Sequence, residues 1–104
     1  MIKIEQFIQM VTNGDFIDAH EILEHDWKEL KKAGQKDNAK FIQALINGTT
    51  AIALFQKGKI DGSQRVWSTF IKYKHLIDKI DLPNKERYQY AIDILEKRYQ
   101  EVVC

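Results

Sequence analysis

Apolar residues recur along this chain at the three- and four-residue spacing of helices, and no stretch alternates in the way a half-buried strand requires. Ile4, Phe7, Ile8 and Val11 predict a first helix over Ile2–Asn13. It closes at Asn13-Gly14, two residues that tolerate left-handed backbone geometry. Phe16, Ala19, Leu23, Trp27 and Leu30 form the stripe of a second helix. Asp15 is placed to cap it, Asp18 and the later Lys28, Lys31 and Lys32 suit the two ends of its dipole, and Gly34 stops it. A third helix is predicted from about Asn38 to Lys57, and no charged residue lies between Lys40 and Lys57. That run is too short, and too often interrupted by Gln43, Asn47, Thr49, Thr50 and Gln56, for a membrane span. It reads instead as a central helix surrounded by the others. Gln43, Asn47 and Thr50 fall on one side of it as an uncharged polar seam, and Gly48 leaves room for close approach of a neighbour.

Gly58 to Gly62 is a tight link with Asp61 as a cap. The fourth helix is predicted to run on to about Ile80, turning Val66, Phe70, Tyr73, Ile77 and Ile80 inward and leaving Trp67 and Ile71 off that face for contact with another helix or another subunit. Asp81-Leu82-Pro83 restarts the chain, with Pro83 in the first turn of a fifth helix reaching about Val102. The apolar positions of that helix, Tyr88, Ala91, Ile92, Leu95, Tyr99 and Val102, spread over a wide arc and leave its docking open. Short connections fold consecutive helices back on one another. The expectation is one all-α domain over residues 1–104, a bundle of about five roughly antiparallel helices with an apolar third helix at its centre.

Composition adds few constraints. At 104 residues, 44% hydrophobic and 30% charged, the chain has the make-up of a folded protein with one core. The net charge is +1 and the lysines are scattered among acids, so neither nucleic acid nor an anionic membrane is the expected partner. The single cysteine, Cys104, is terminal and forms no internal disulfide, and the first residues lack the basic start and apolar run of a signal peptide. Both features lead to the expectation of a cytoplasmic protein.

The chemistry concentrates in His20-Glu21-x-x-Glu24-x-x-Trp27. On a helical projection His20 falls inside the apolar stripe, Glu24 at its edge, Glu21 further toward solvent and His25 on the polar side. An imidazole buried without a partner costs about 1–3 kcal/mol, so His20 is expected to be satisfied by Glu24 at i+4 or by Gln43. The spacing invites comparison with H-E-x-x-H, in which the i and i+4 residues bind zinc and the glutamate acts as base. Here a carboxylate replaces the second histidine. His20 and Glu24 would give a divalent ion two ligands, one short of the three a catalytic zinc takes from protein. Two readings therefore stand side by side, a metal or small-ligand site and a structural hydrogen bond. The seam of Gln43, Asn47 and Thr50 is open to the same pair. Lys28, Lys31, Lys32 and Lys36 read as a solvated helix end, and no Ser/His/Asp or Cys/His arrangement is recognisable.

Phe16-x-x-Ala19-His20-Glu21-x-Leu23-Glu24-x-x-Trp27 resembles the domain-of-unknown-function 309 family, small helical bacterial and archaeal proteins with the pattern F-x-x-A-H-E-x-L-E-x-x-W. Phe41-Ile42-Gln43-Ala44-Leu45-Ile46 is similar to that family's F-L-Q-G-L-I-Q, with Ala44 where glycine is usual and Asn47 where the family has glutamine. The resemblance spans about Asp15 to Gly58. It implies an all-α fold, marks His20, Glu21, Glu24, Trp27 and Gln43 as positions to watch, and brings the label "predicted metal-dependent hydrolase" without a substrate.

These readings converge on a polar pocket between the second and third helices. His20 and Glu24 are its primary groups (metal ligands if a divalent ion binds), Gln43 and Asn47 its facing amides, and Trp27 its apolar wall. In a hydrolase, Glu21 or Glu24 would be the base acting on a metal-bound water. A rival class is a non-enzymatic interaction module, in which the polar cluster is structural and Trp67, Ile71 or Tyr90 binds another protein or a second copy.

Overall fold

The computed structural model describes residues 3–103, which form five α-helices, α1 (Lys3–Asn13), α2 (Phe16–Lys32), α3 (Lys36–Gln56), α4 (Ile60–Tyr73) and α5 (Lys85–Val103), with a 3₁₀ segment at Lys74–Asp78. The predicted start at Ile2 and the terminal Cys104 lie outside the described residues. Among the described residues there is no strand, and no helix is long and apolar enough to cross a membrane.

The first three junctions share one construction. Gly14, Gly34 and Gly58 end their helices with φ near +80°, the left-handed geometry that a Cβ disfavours. In each, the amide of the next residue reaches back six residues' span: Asp15 N–H to Met10 O at 2.8 Å, Gln35 N–H to Leu30 O at 3.0 Å, and Lys59 N–H to Leu54 O at 2.9 Å. That residue's own carbonyl then accepts the first bond of the following helix, from Ala19, Ala39 and Ser63 respectively. Each helix thus folds straight back on its predecessor. Asp15 occupies the expected cap position but makes no side-chain cap hydrogen bond.

Because the junction at Gly34 is so short, α3 begins at Lys36, two residues before the expected start. Asn38 accordingly lies within the first turn of α3. It is buried, its amide donating to Gln35 Oε1 at 2.8 Å and to Asp81 Oδ1 at 2.6 Å, while its own oxygen accepts the Asp81 amide. The same shortening puts Asp61 inside α4, with Lys59 at the cap position. The fourth helix does not continue to Ile80. It tightens into the 3₁₀ turn after Tyr73, which still delivers Ile77 and Ile80 to the core and hands the chain to the Asn38–Asp81 latch. Pro83 precedes α5 rather than opening it. Asn84, at φ 63°, supplies the carbonyl that the Arg87 and Tyr88 amides bond.

α3 is the central helix. Phe41, Ile42, Ala44, Leu45, Ile46, Ala51 and Ile52 are all buried, as is Thr49, whose hydroxyl turns back to the Ile46 carbonyl. At Gly48 an added Cβ would lie 3.0 Å from Leu95 Cδ1 and 3.3 Å from Phe70 Cδ1, so α5 and α4 both close on the one position without a side chain. Ser63 ties α4 to α3 by donating to the Ala51 carbonyl at 2.6 Å. Trp67 points inward, half-buried, with its ring stacked on Tyr99 at 3.8 Å and tilted against Phe70. That stack ties α5 to α4, and the helix, whose docking the sequence left open, packs mainly on α1 and α3.

A second tie holds α5 to α1. Arg87 donates from Nε to Glu5 Oε2 at 2.6 Å and from Nη2 to Oε1 at 2.8 Å, a bidentate pair. These hydrogen bonds hold the Glu5 carboxyl below the usual carboxylate range against a smaller desolvation in the other direction. A depressed carboxyl stabilises the fold fully above its unfolded pKa, about 4.3, and loses that contribution as pH falls through the lower folded value. A double-mutant cycle with Glu5→Gln and Arg87→Gln, read by urea denaturation, should give a favourable coupling at about pH 7 that shrinks toward zero at about pH 2–3. A coupling independent of pH would show that the charge pair is not its source.

Candidate functional site

α2 lies on α3 in an antiparallel register that brings the polar positions of both helices to one side. The amphipathic stripe of α2 fixes its rotation by burying Phe16, Ala19 and Leu23. His20 and Glu24, beside that stripe, are left at the rim of the α2–α3 contact, where Thr50 emerges from α3. His20 Nδ1 is 2.7 Å from Thr50 Oγ1 and Nε2 is 3.2 Å from Glu24 Oε1, so both ring nitrogens are engaged. The side chains are not deeply buried: a third of His20 and 44% of Glu24 remain exposed.

The proton count within this group is informative. An ionised Glu24 only accepts, which places a proton on His20 Nε2. In the neutral ring, Nδ1 is then an acceptor and takes the Thr50 hydroxyl proton. In the doubly protonated ring, Nδ1 donates to Thr50 Oγ1, and the hydroxyl proton turns to the Ile46 carbonyl, 3.0 Å away. One hydroxyl rotation therefore accommodates either state of the imidazole without moving a heavy atom.

His20 opens onto a cleft of about 280 Å³, lined also by Phe16, Ile17, Glu21, Thr50, Ala53, Leu54 and Lys57. Glu21 thus shares the cleft with His20, while Glu24 holds the ring from its side. Trp27 and Gln43 come together elsewhere. They line a second hollow of about 460 Å³, one end further along the same helix pair, with Lys31, Lys36, Ala39 and Lys40. Asn47 is half-buried between them on α3, level with Glu24 in the register set by His20–Thr50 and Trp27–Gln43.

The group that meets His20 from across the contact is Thr50, not Gln43. Thr50 belongs to the polar seam visible in the sequence, and the antiparallel register was the missing information. Lys57 and Lys40, which border the two hollows, carried no signal beyond their charge. The donor set for a metal is thin: among the described residues, no three His, Cys, Asp or Glu side chains are grouped so as to hold an ion. His20 Nε2 and Glu24 form a pair without a third protein ligand beside them.

A small all-α bundle with a partly open histidine held between two helices is the class that this geometry defines. The family model for the Domain of unknown function (DUF309) matches residues 4–66, from α1 into α4, and the chain belongs to that family. The match takes in every residue of both hollows and leaves α5 outside. No curated protein and no solved structure matches the chain.

Since the ring is a third exposed, its hydrogen bonds resemble a surface pair more than a buried network. His20→Ala should lower unfolding free energy by less than about 1 kcal/mol in urea denaturation. A loss of about 3 kcal/mol or more, the scale of a broken buried network, would make the cluster a structural element.

Proposed function

We propose that this protein is a small-molecule-binding helical module whose site is the cleft beside His20. His20 is the primary contact, Glu24 and Thr50 its positioning groups, and Glu21 the acidic group at the rim. The observation that carries this reading is a histidine oriented at both nitrogens while still open to a cleft. A group wholly inside the core needs such partners to offset its desolvation, whereas a group at the rim does not. The orientation of His20 therefore serves something that enters the cleft. Phe16 and Ile17 give that space an apolar wall, and Lys57 gives it a cation, the mixture of apolar lining and few polar groups usual for small ligands.

Two donors at i and i+4 favour this reading over a metal-dependent hydrolase, because a bound ion would have to replace the His20–Glu24 hydrogen bond and still find another protein ligand. The interaction-module reading rests on Trp67, Ile71 and Tyr90, and Trp67 is engaged by Tyr99 within the fold. Ile71 and Tyr90 are exposed, on different helices.

A fragment screen by protein-observed NMR tests the proposal. Hits are expected to move the amides of Ile17, Thr50 and Ala53, and to lose at least about tenfold in affinity in His20→Ala, a difference of about 1.4 kcal/mol. A screen whose hits all map away from this cleft, or bind His20→Ala equally well, would overturn it.

A further inference from the structure

The hollow at the far end of the α2–α3 contact has a different character from the His20 cleft. Its lining includes Trp27, Lys31, Lys36, Ala39, Lys40 and Gln43, and it contains three cations and no carboxylate. In the sequence, Lys31 and Lys36 read as part of a solvated helix end. The fold adds Lys40 from the next turn of α3 and sets all three around an indole and an amide. None of the three belongs to an ion pair among the described residues, whose cations are Lys3, His20, Lys74, Arg87 and Arg98. Lys31 and Lys40 instead rest on aromatic faces, Lys31 Nζ 5.0 Å from the Trp27 ring and Lys40 Nζ 4.5 Å from the Tyr73 ring. Contacts of that kind at exposed sites are weak, about 0.5–1 kcal/mol, and are readily exchanged for a charge-assisted hydrogen bond. The nearest carboxylate along the chain, Asp37, lines an adjoining depression with Gln35, Asn38, Lys79 and Asp81, which shares Lys36 with this hollow.

We propose that this hollow binds a small organic anion carrying a flat ring, of the nucleoside phosphate class. Lys31 of α2 and Lys36 and Lys40 of α3 border the one hollow, and a multiply charged oxyanion can engage more of them than a single carboxylate can. Trp27 supplies an apolar surface for a ring, and the Gln43 amide offers one donor face and one acceptor to its edge. The volume of about 460 Å³ is of the size that small-molecule sites take. This site is distinct from the His20 cleft and does not depend on it.

NMR titration of the whole protein with ADP, pyrophosphate and adenosine, at about 0.1 M salt where the screening length is about 10 Å, tests the assignment. ADP should shift the Trp27 indole N–H and the amides of residues 36–40 saturably, leaving the Trp67 indole in place. Pyrophosphate, which has the charge without the ring, and adenosine, which has the ring without the charge, should each bind at least about fivefold more weakly. The double variant Lys31→Ala/Lys40→Ala should weaken ADP about tenfold or more, and both lysines are exposed, so the fold is retained. His20→Ala should leave ADP affinity unchanged. No saturable shift at Trp27, pyrophosphate binding as tight as ADP, a double variant within about twofold of wild type, or shifts centred on the His20 cleft would each overturn the proposal.

Discussion

The antiparallel packing of α2 on α3 is the constraint on which the rest of this structure depends. α3 is buried along most of its length, so its polar residues can surface only where a neighbouring helix leaves a margin. Thr49, which has no such margin, is spent on the Ile46 carbonyl inside the bundle, as the buried Ser63 of α4 is on that of Ala51. Gln43, Asn47 and Thr50 lie half-buried along the edge of α2, where water and side-chain partners are both within reach. The same register carries His20 to Thr50 at one end and Trp27 to Gln43 at the other. The close approach over Gly48 on the opposite side allows α4 and α5 to close the core without disturbing that edge.

Two hollows follow from one helix pair, and they differ because the ends of α2 differ. Near its start the groups are an imidazole, two carboxylates and a hydroxyl, arranged so that a proton can sit on either side of the His20–Thr50 contact. Near its end the helix dipole favours lysines, and the tight turn at Gly34 brings the first residues of α3, with two more lysines, directly beside them. The second accumulation of charge is a consequence of a short junction as much as of composition.

The helices and the glycine junctions were legible in the sequence because local periodicity and left-handed geometry are local properties. The break after Tyr73 was not, since Ile77 and Ile80 keep an apolar spacing that suits a continued helix. The 3₁₀ turn that follows Tyr73 instead leads the chain to a latch between Asp81 and Asn38, residues far apart in the chain. Asn38 marked only the start of the third helix in the sequence, and its hydrogen bonds to Asp81 needed the fold to be seen. For His20, a helical projection fixes the angle but not the depth. It placed the ring among core residues and identified Glu24 as a partner, whereas the open face and the Thr50 contact needed the register. The hollow around Trp27 was invisible for the same reason, as its cations come from two helices and meet only when those helices are docked.

His20 is held at both ring nitrogens at the rim of this contact. The ¹⁵N and ¹³C spectrum of the His20 ring, recorded above the pH at which it protonates, tests that claim most directly. The geometry predicts a single Nε2–H tautomer in wild type that gives way to a tautomer mixture in Glu24→Gln/Thr50→Val. A wild-type ring already averaging between tautomers, as in a free histidine, would contradict it.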